Sequence, residues 1–282
     1  MLAWAVAGWD SVGWDDGYLI GRLAVQTAGS GSIWGREFNV KWRRWIVLLA
    51  LVLAVGVQGC VGPRTVRGSG KAAEEMREVS GFTGVELATI GNLYIELGEK
   101  EELRIEADDN LLQYFETRVR DGTLEIGDRD RVTLLPREPV RFSLTVKELD
   151  TIVLSGLGSI EVPDDIETTR LSLRMSGGGK VEVEDLRADV LEVNISGLGD
   201  LYVGEGEVED QKVVISGGGS YRARELESAK TQVRVTGLGF ATVRVRDHLK
   251  VVISGGGSVK YIGNPTVEQD VSGVGHVERI GE

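Results

Sequence analysis

A four-residue pattern, Ser or Thr followed by Gly-x-Gly, recurs seven times down the C-terminal half of the chain. It begins at Ser155, Ser176, Ser196, Ser216, Thr236, Ser254 and Ser272, in steps of 21, 20, 20, 20, 18 and 18 residues. A fixed period of this size marks a repeat architecture, in which each unit buries its apolar face only against its neighbours.

Between the turns the sequence alternates with period two. Leu171, Leu173 and Met175 precede the second turn, and Val181 and Val183 follow it. The next unit gives Leu191, Val193 and Ile195, then Leu201 and Val203. Such alternation is the mark of half-buried strands, and the β-branched inward set suits a pleated surface. The pattern predicts that Leu171, Leu173, Val181, Val183, Leu191, Val193, Ile195, Val213, Ile215, Val233, Val235, Val251 and Ile253 are buried. It turns Arg174, Asn194 and Arg234 to solvent. The glycines read as corner residues that let turns stack closely, and each Ser or Thr as a donor to nearby backbone. The third turn position alternates Leu157, Gly178, Leu198, Gly218, Leu238, Gly256 and Val274. A stacked large–small column explains this if one repeat is one coil. Two repeats per coil would instead place the leucines and glycines on opposite edges. The 20-residue coil matches solenoid periods better.

The repeats also explain the composition. Glycine makes up 39 of 282 residues and aromatics 6%, as a narrow aliphatic core with glycine corners requires. Residues 1–39 show no period and are read as an extension from a start codon placed too early, or as a cytoplasmic extension on a signal anchor. Residues 40–59 carry the basic Lys41-Trp-Arg-Arg44 and an apolar run from Trp45 to Val57, the layout of an export signal. The only cysteine, Cys60, follows Val57-Gln-Gly and resembles the lipid-modified Cys of a lipobox, although Gln58 is unusual there. The alternative is an ordinary signal peptide cleaved nearby. Residues 60–78 read as a tether and 79–282 as the folded domain. Four of the 44 acidic and five of the 32 basic residues precede Cys60, leaving 40 against 27 and a net charge of −13. An acidic body of this kind argues against nucleic acid as a partner.

Upstream of the repeats, Phe82 to Leu97 and Leu103 to Ala107 alternate as strands. The stretch from Asp108 to Phe115 carries helix-start residues and predicts one short helix. Asp121-Gly122 between apolar alternations predicts a hairpin.

Val79-Ser-Gly-Phe-Thr-Gly-Val85, Ile90-Gly-Asn-Leu-Tyr-Ile95, Glu106-Ala-Asp-Asp-Asn-Leu-Leu112, Asp121-Gly-Thr-Leu-Glu-Ile126, the repeated turns and Tyr261-Ile-Gly-Asn-Pro265 occur in order. This set resembles the auto-transporter adhesin head GIN domain family from about Val79 to Ile280. The family's usual Ser-Gly-Ser-Gly turn is here often Ser-Gly-Leu-Gly or Ser-Gly-Gly-Gly. The resemblance implies an exported all-β protein: a right-handed β-helix of ~20-residue repeats behind a smaller β-rich cap. It also implies an adhesive role without established catalytic residues.

The side chain after each turn reads Ser159, Lys180, Asp200, Ser220, Phe240, Ser258 and His276, which repeats no pair of carboxylates. His248 and His276 read as surface residues, and neither has metal-ligand spacing. Asp200 alone follows a turn as a calcium β-roll would require, and no Gly-x-Gly opens a helix as a nucleotide loop does. Asp164-Asp165 and the acids from Glu205 to Asp210 read as solvated loops. These features predict no catalytic residue, metal or cofactor, with Cys60 as the lipidation site. They predict a membrane-anchored envelope module binding glycans or envelope proteins. The alternatives are a polysaccharide lyase or hydrolase, and a structural or signalling envelope protein.

Overall fold

The computed structural model describes residues 64–129 and 132–282. The extension, the export signal and Cys60 lie outside them. Short strands come first: β1 (Arg64–Arg67), β2 (Ala72–Glu78), β3 (Gly84–Leu87), β4 (Ile90–Leu97) and β5 (Glu102–Asp108). They continue with β6 (Phe115–Arg120), β7 (Thr123–Asp128), β8 (Val132–Leu135), β9 (Arg141–Val146) and β10 (Thr151–Leu154). Five long strands follow: β11 (Leu157–Met175), β12 (Gly178–Ile195), β13 (Asp200–Ile215), β14 (Ser220–Val235) and β15 (Phe240–Gly255). The chain closes with β16 (Ser258–Ile262), β17 (Thr266–Gly273) and β18 (His276–Gly281).

The fold is an all-β solenoid of about seven turns. Each long strand bends round most of one coil and pairs in parallel with the next. Leu171 stands opposite Leu191, Leu191 opposite Gln211, Gln211 opposite Thr231, and Thr231 opposite Leu249. One repeat is therefore one coil. The 13 residues whose burial the alternation predicts are all in the core, and Arg174, Asn194 and Arg234 are exposed. The register follows from the period of two, because a slip of one residue would turn every Val and Ile to water. Ser172 departs from the alternation, since its outward side chain is buried.

Close backbone approach explains the corner glycines. A Cβ at the second position of the corner would lie 1.9 Å from the Gly156 carbonyl oxygen at Gly177 and 2.0 Å from that of Gly177 at Gly197. The third position is open. There Leu157, Leu198 and Leu238 are exposed, and the Cδ2 atom of each leans over the glycine of the next coil. The large–small column exists, but on the outer corner. The Ser hydroxyls act in part as expected: those of Ser196 and Ser272 donate to the carbonyls of Met175 and Ile253, both at 3.4 Å.

The first coils are covered by antiparallel strands, with β5 paired to β2 and β9, and β6 to β7. Phe115 meets Phe142 edge-on, with ring centroids 5.4 Å apart. The Asp-Gly hairpin joins β6 and β7, with Asp121 at φ 50° and Gly122 at φ 75°, as a two-residue primed turn requires.

Two expectations are corrected. The helix after Asp108 is a single 3-10 turn, Leu112–Tyr114, with no side-chain cap. Asp108 is unavailable as a cap, because its carboxylate accepts from the backbone N–H groups of Gly70, Arg137 and Glu138. Phe115 is already extended, so too few residues remain to nucleate an α-helix. Residues 64–78, expected to be tether, form β1 and β2, with β1 parallel to β8 and β2 antiparallel to β5. Their charges belong to an edge strand, where they discourage pairing with other chains. Arg77 ties β2 to the cap by donating to the carbonyls of Phe115 at 3.0 Å and Leu112 at 3.2 Å.

Candidate binding surface

Each coil runs into its corner along a straight segment, residues 170–175 in β11 and the equivalents above it. Side chains at alternate positions of this segment point outward and stack in columns, since parallel strands lie about 4.8 Å apart. The central column is Ser172, Glu192, Lys212, Gln232, Lys250 and Glu268. One neighbouring column runs Arg170, Val190, Asp210, Lys230, His248 and Thr266. The column nearest the corner includes Arg174, Asn194, Val214, Arg234 and Val252.

Two shallow grooves cross this face. The larger, about 710 Å³, runs between Lys212, Lys230, His248 and Lys250. The smaller, about 290 Å³, lies between Gln232, Arg234 and Val252. Arg170 pairs with Glu192 at 2.9 Å and Lys250 with Glu268 at 3.0 Å. Among the described residues, Lys212, Lys230 and Arg234 have no carboxylate within 4.0 Å.

Beneath the face, the aliphatic lumen is interrupted. Gln211 and Thr231 occupy the inward column where Leu171, Leu191 and Leu249 stand in other coils. Gln211 Nε2 donates to the Tyr221 hydroxyl at 2.5 Å, and Thr231 Oγ1 donates to Gln211 Oε1 at 3.1 Å. The Ser228 hydroxyl lies 2.5 Å from Thr231 Oγ1 and 2.9 Å from the Arg244 carbonyl. Tyr221, Ser228 and Thr231 are almost wholly buried, and burial pushes the Tyr221 hydroxyl pKa far above its usual value. The alternation of Val213 and Ile215 with polar residues gave no sign of this network. Aligning the repeats at 20 residues would have placed Gln211 and Thr231 in a leucine column.

The other residues singled out from the sequence lie apart. His248 is exposed beside Lys230, and His276 is exposed on β18. Ser220 donates to the Asp200 carboxylate, and Arg222 pairs with Asp200 at 3.3 Å. Phe240 is exposed, and its column neighbours Ser220 and Ser258 are buried beside it. Asp164 lies in β11 rather than in a loop, and its Oδ2 accepts at 2.7 Å from the N–H of Leu97 at the end of β4, a structural bond between two strands. The acids from Glu205 to Asp210 also belong to a strand, β13. Glu207 and Glu227 each lie 3.2 Å from Arg246 Nη1, which ties three coils together. Among the described residues, no group of three or more His, Cys, Asp and Glu is arranged to hold a metal ion. Among them, too, no helix is long and apolar enough to cross a membrane.

Comparisons with known proteins agree with this architecture. The crystal structure of a putative adhesin from Bacteroides fragilis has a TM-score of 0.72 at 24% identity, over 76% of this chain and 100% of that one. A putative adhesin from Parabacteroides merdae gives 0.64 at 22%, over 77% and 99%. A putative lipid binding protein from Parabacteroides distasonis gives 0.61 at 21%, over 77% and 100%. At these identities the likeness establishes the fold. The comparison with curated proteins returned no match. Residues 81–265 match the family described as "Putative auto-transporter adhesin, head GIN domain", and the chain belongs to that family.

Proposed function

We propose that this protein is an exported binding module of the cell envelope, anchored to the membrane through a lipid on Cys60, that adheres through the outer face of its solenoid. The observation that carries the reading is the straight, outward-facing segment of successive coils, which presents polar and charged side chains in regular columns with open grooves between them. Membership of an adhesin family supports it. A rigid parallel sheet suits adhesion because its side chains are already ordered, so little conformational entropy is lost on binding.

The test is adhesion of protein-coated beads to immobilised glycans and to envelope preparations. Retention above that of beads coated with an unrelated acidic protein is expected, and equal retention across a broad panel refutes the reading. The anchor is tested separately. Two acyl chains anchor a protein stably where one does not, so Cys60→Ser is expected to release the protein from the membrane fraction or leave the precursor unprocessed. Wild-type fractionation and migration would refute lipidation.

A second reading, a polysaccharide lyase or hydrolase, has its footing in a groove of about 570 Å³ lined by Glu167, Asp189, Glu207 and Glu209. Release of oligosaccharides from a uronate-rich polymer, abolished by Glu209→Gln, would establish it in place of the first.

A further inference from the structure

Gln232 sits at the centre of a cross. Lys212 lies opposite it on one neighbouring coil and Lys250 on the other. Lys230 and Arg234 flank it along its own strand, two residues to either side and on the same face. Strand spacing sets the first pair about 10 Å apart across the coils, and residue rise sets the second pair about 13 Å apart along β14. All five side chains are exposed. In a chain whose residues beyond the export signal carry a large negative charge, four cations around one amide are a local reversal of sign.

The surroundings do not cancel that reversal. Glu192 is engaged by Arg170 and Glu268 by Lys250. Asp210, the remaining acid beside Lys212 and Lys230, has no oxygen within 4.0 Å of either. Three of the four cations therefore stand without an anionic partner among the described residues, above a groove open to solvent.

We propose that the cross of Lys212, Lys230, Arg234 and Lys250 around Gln232 binds a linear anionic polysaccharide. The proposal rests on the adhesive reading and names its ligand class. The cations would meet carboxylate or sulfate groups repeated along the polymer, and the Gln232 amide can donate to and accept from sugar hydroxyls between them. An extended chain suits the site because the columns repeat at a constant step and the groove does not close round an end. A membrane surface suits it less, since a flat anionic layer would also press on Glu192, Asp210 and Glu268. Single-stranded nucleic acid suits it less too, since the grooves offer no aromatic platform for bases.

The experiment measures binding of the full-length protein to polygalacturonate and to dextran sulfate. Neutral dextran, phosphatidylglycerol vesicles and single-stranded DNA serve as comparisons, each at two salt concentrations. Binding to at least one acidic polysaccharide, weakening with salt and absent on dextran, is expected. Single changes of Lys212, Lys230, Arg234 or Lys250 to Gln should each weaken it about 3-fold, as exposed ion pairs do, and the four together at least roughly 50-fold. A control with Arg64, Lys100, Arg118 and Lys147 changed to Gln has the same net charge and should lose less than about 2-fold. Circular dichroism of the fourfold variants confirms that these outward changes leave the fold intact.

Equal losses in the two fourfold variants, tighter binding to vesicles or DNA, or no polysaccharide binding by the wild type would each overturn the proposal. Bead adhesion separates the two readings. A fourfold cross variant that adheres like wild type removes this site and leaves adhesion standing, whereas a wild type that adheres to nothing removes the adhesive reading itself.

Discussion

Two adjacent glycines of one corner test how the coils are held together. A Cβ on Gly177 would stand 1.9 Å from the Gly156 carbonyl oxygen and 2.9 Å from the Ser155 backbone, against an ordinary contact of 3.4 Å or more. A Cβ on Gly178 would meet only the tip of Leu157, at 3.2 Å. Gly177→Ala must therefore push the coils apart by more than an ångström, whereas Gly178→Ala asks a flexible leucine to turn slightly. The separation at Gly177 disrupts the bonds from the Ser176 and Gly177 N–H groups to the Leu154 carbonyl, at 3.0 and 3.2 Å, and from Gly178 N–H to the Gly156 carbonyl at 3.2 Å. At about 1 kcal/mol net for each bond, the cost is about 3 kcal/mol. Gly178→Ala should fall between a loss of about 0.5 kcal/mol and a similar gain from the lowered entropy of the unfolded chain. For a domain of this size about 1 kcal/mol corresponds to roughly 2–4 °C, so Gly177→Ala should melt roughly 6–12 °C below wild type, and Gly178→Ala within about 2 °C of it. Thermal denaturation followed by circular dichroism reads both. Amide exchange at Ser176 and Gly178 checks that the loss is local, since solenoids can open by parts. If Gly178→Ala melts as low as Gly177→Ala, coil-to-coil backbone approach is not what selects glycine at this corner.

Two further outcomes concern buried polar groups. Burial pushes the Asp108 carboxyl up, but the N–H groups of Arg137, Gly70 and Glu138 more than offset it and hold its pKa below the usual carboxylate value. Its contribution is therefore full above the unfolded pKa, near 4, and is lost as pH falls through the lower folded value. Asp108→Asn should lower the melting temperature at neutral pH by more than it does under strongly acidic conditions. A pH-independent difference would refute the linkage. Tyr221→Phe removes the acceptor of Gln211 Nε2 inside the lumen, at a cost of about 1–3 kcal/mol. Adding Gln211→Leu should recover much of the loss in a denaturant titration, since leucine occupies that column in other coils, and a merely additive double variant would refute the assignment.

Much of the solenoid was legible because its two periods, 20 along the chain and two along the strand, are written in residue types. The alternation at Leu191, Val193 and Ile195 fixes which side chains turn inward, and stacking fixes which coil each one meets. The cap was legible only where local chemistry dominates. Asp121-Gly122 specifies its hairpin without help, but Asp108 looked like a helix cap because the N–H groups it serves lie 29 to 38 residues away. The charges of β2 concealed a strand for a similar reason, since Arg77 is satisfied by carbonyls 35 and 38 residues distant. The cationic cross has no sequence signature at all. Lys212, Lys230, Arg234 and Lys250 are scattered over 39 residues and converge only after the chain has been wound into coils.

The arrangement of those cations also bears on how a solenoid can hold a charged site without weakening itself. Side chains stacked on adjacent coils are about 4.8 Å apart, and like charges directly opposite one another are destabilising. The central column avoids this by running Glu192, Lys212, Gln232, Lys250, Glu268, with a neutral amide between the lysines and an acid beyond each. At about 10 Å in water, the repulsion between two unit charges is about 0.4 kcal/mol before salt screens it further. Direct stacking would double that and extend it to every added coil. Of the three acids that line the groove, Glu192 and Glu268 are engaged by Arg170 and Lys250, while Asp210 stands opposite Lys230 on the neighbouring coil. Stacking constrains the inward columns to a few aliphatic residues, whereas the outward columns vary widely in charge and even stack like charges, as Asp165, Asp185 and Glu205 do. Specificity in such a fold is therefore set by the outward columns. Gln232→Lys would place three cations consecutively in the central column and should lower stability by roughly 0.5–1 kcal/mol even as it adds a fifth cation to the cross.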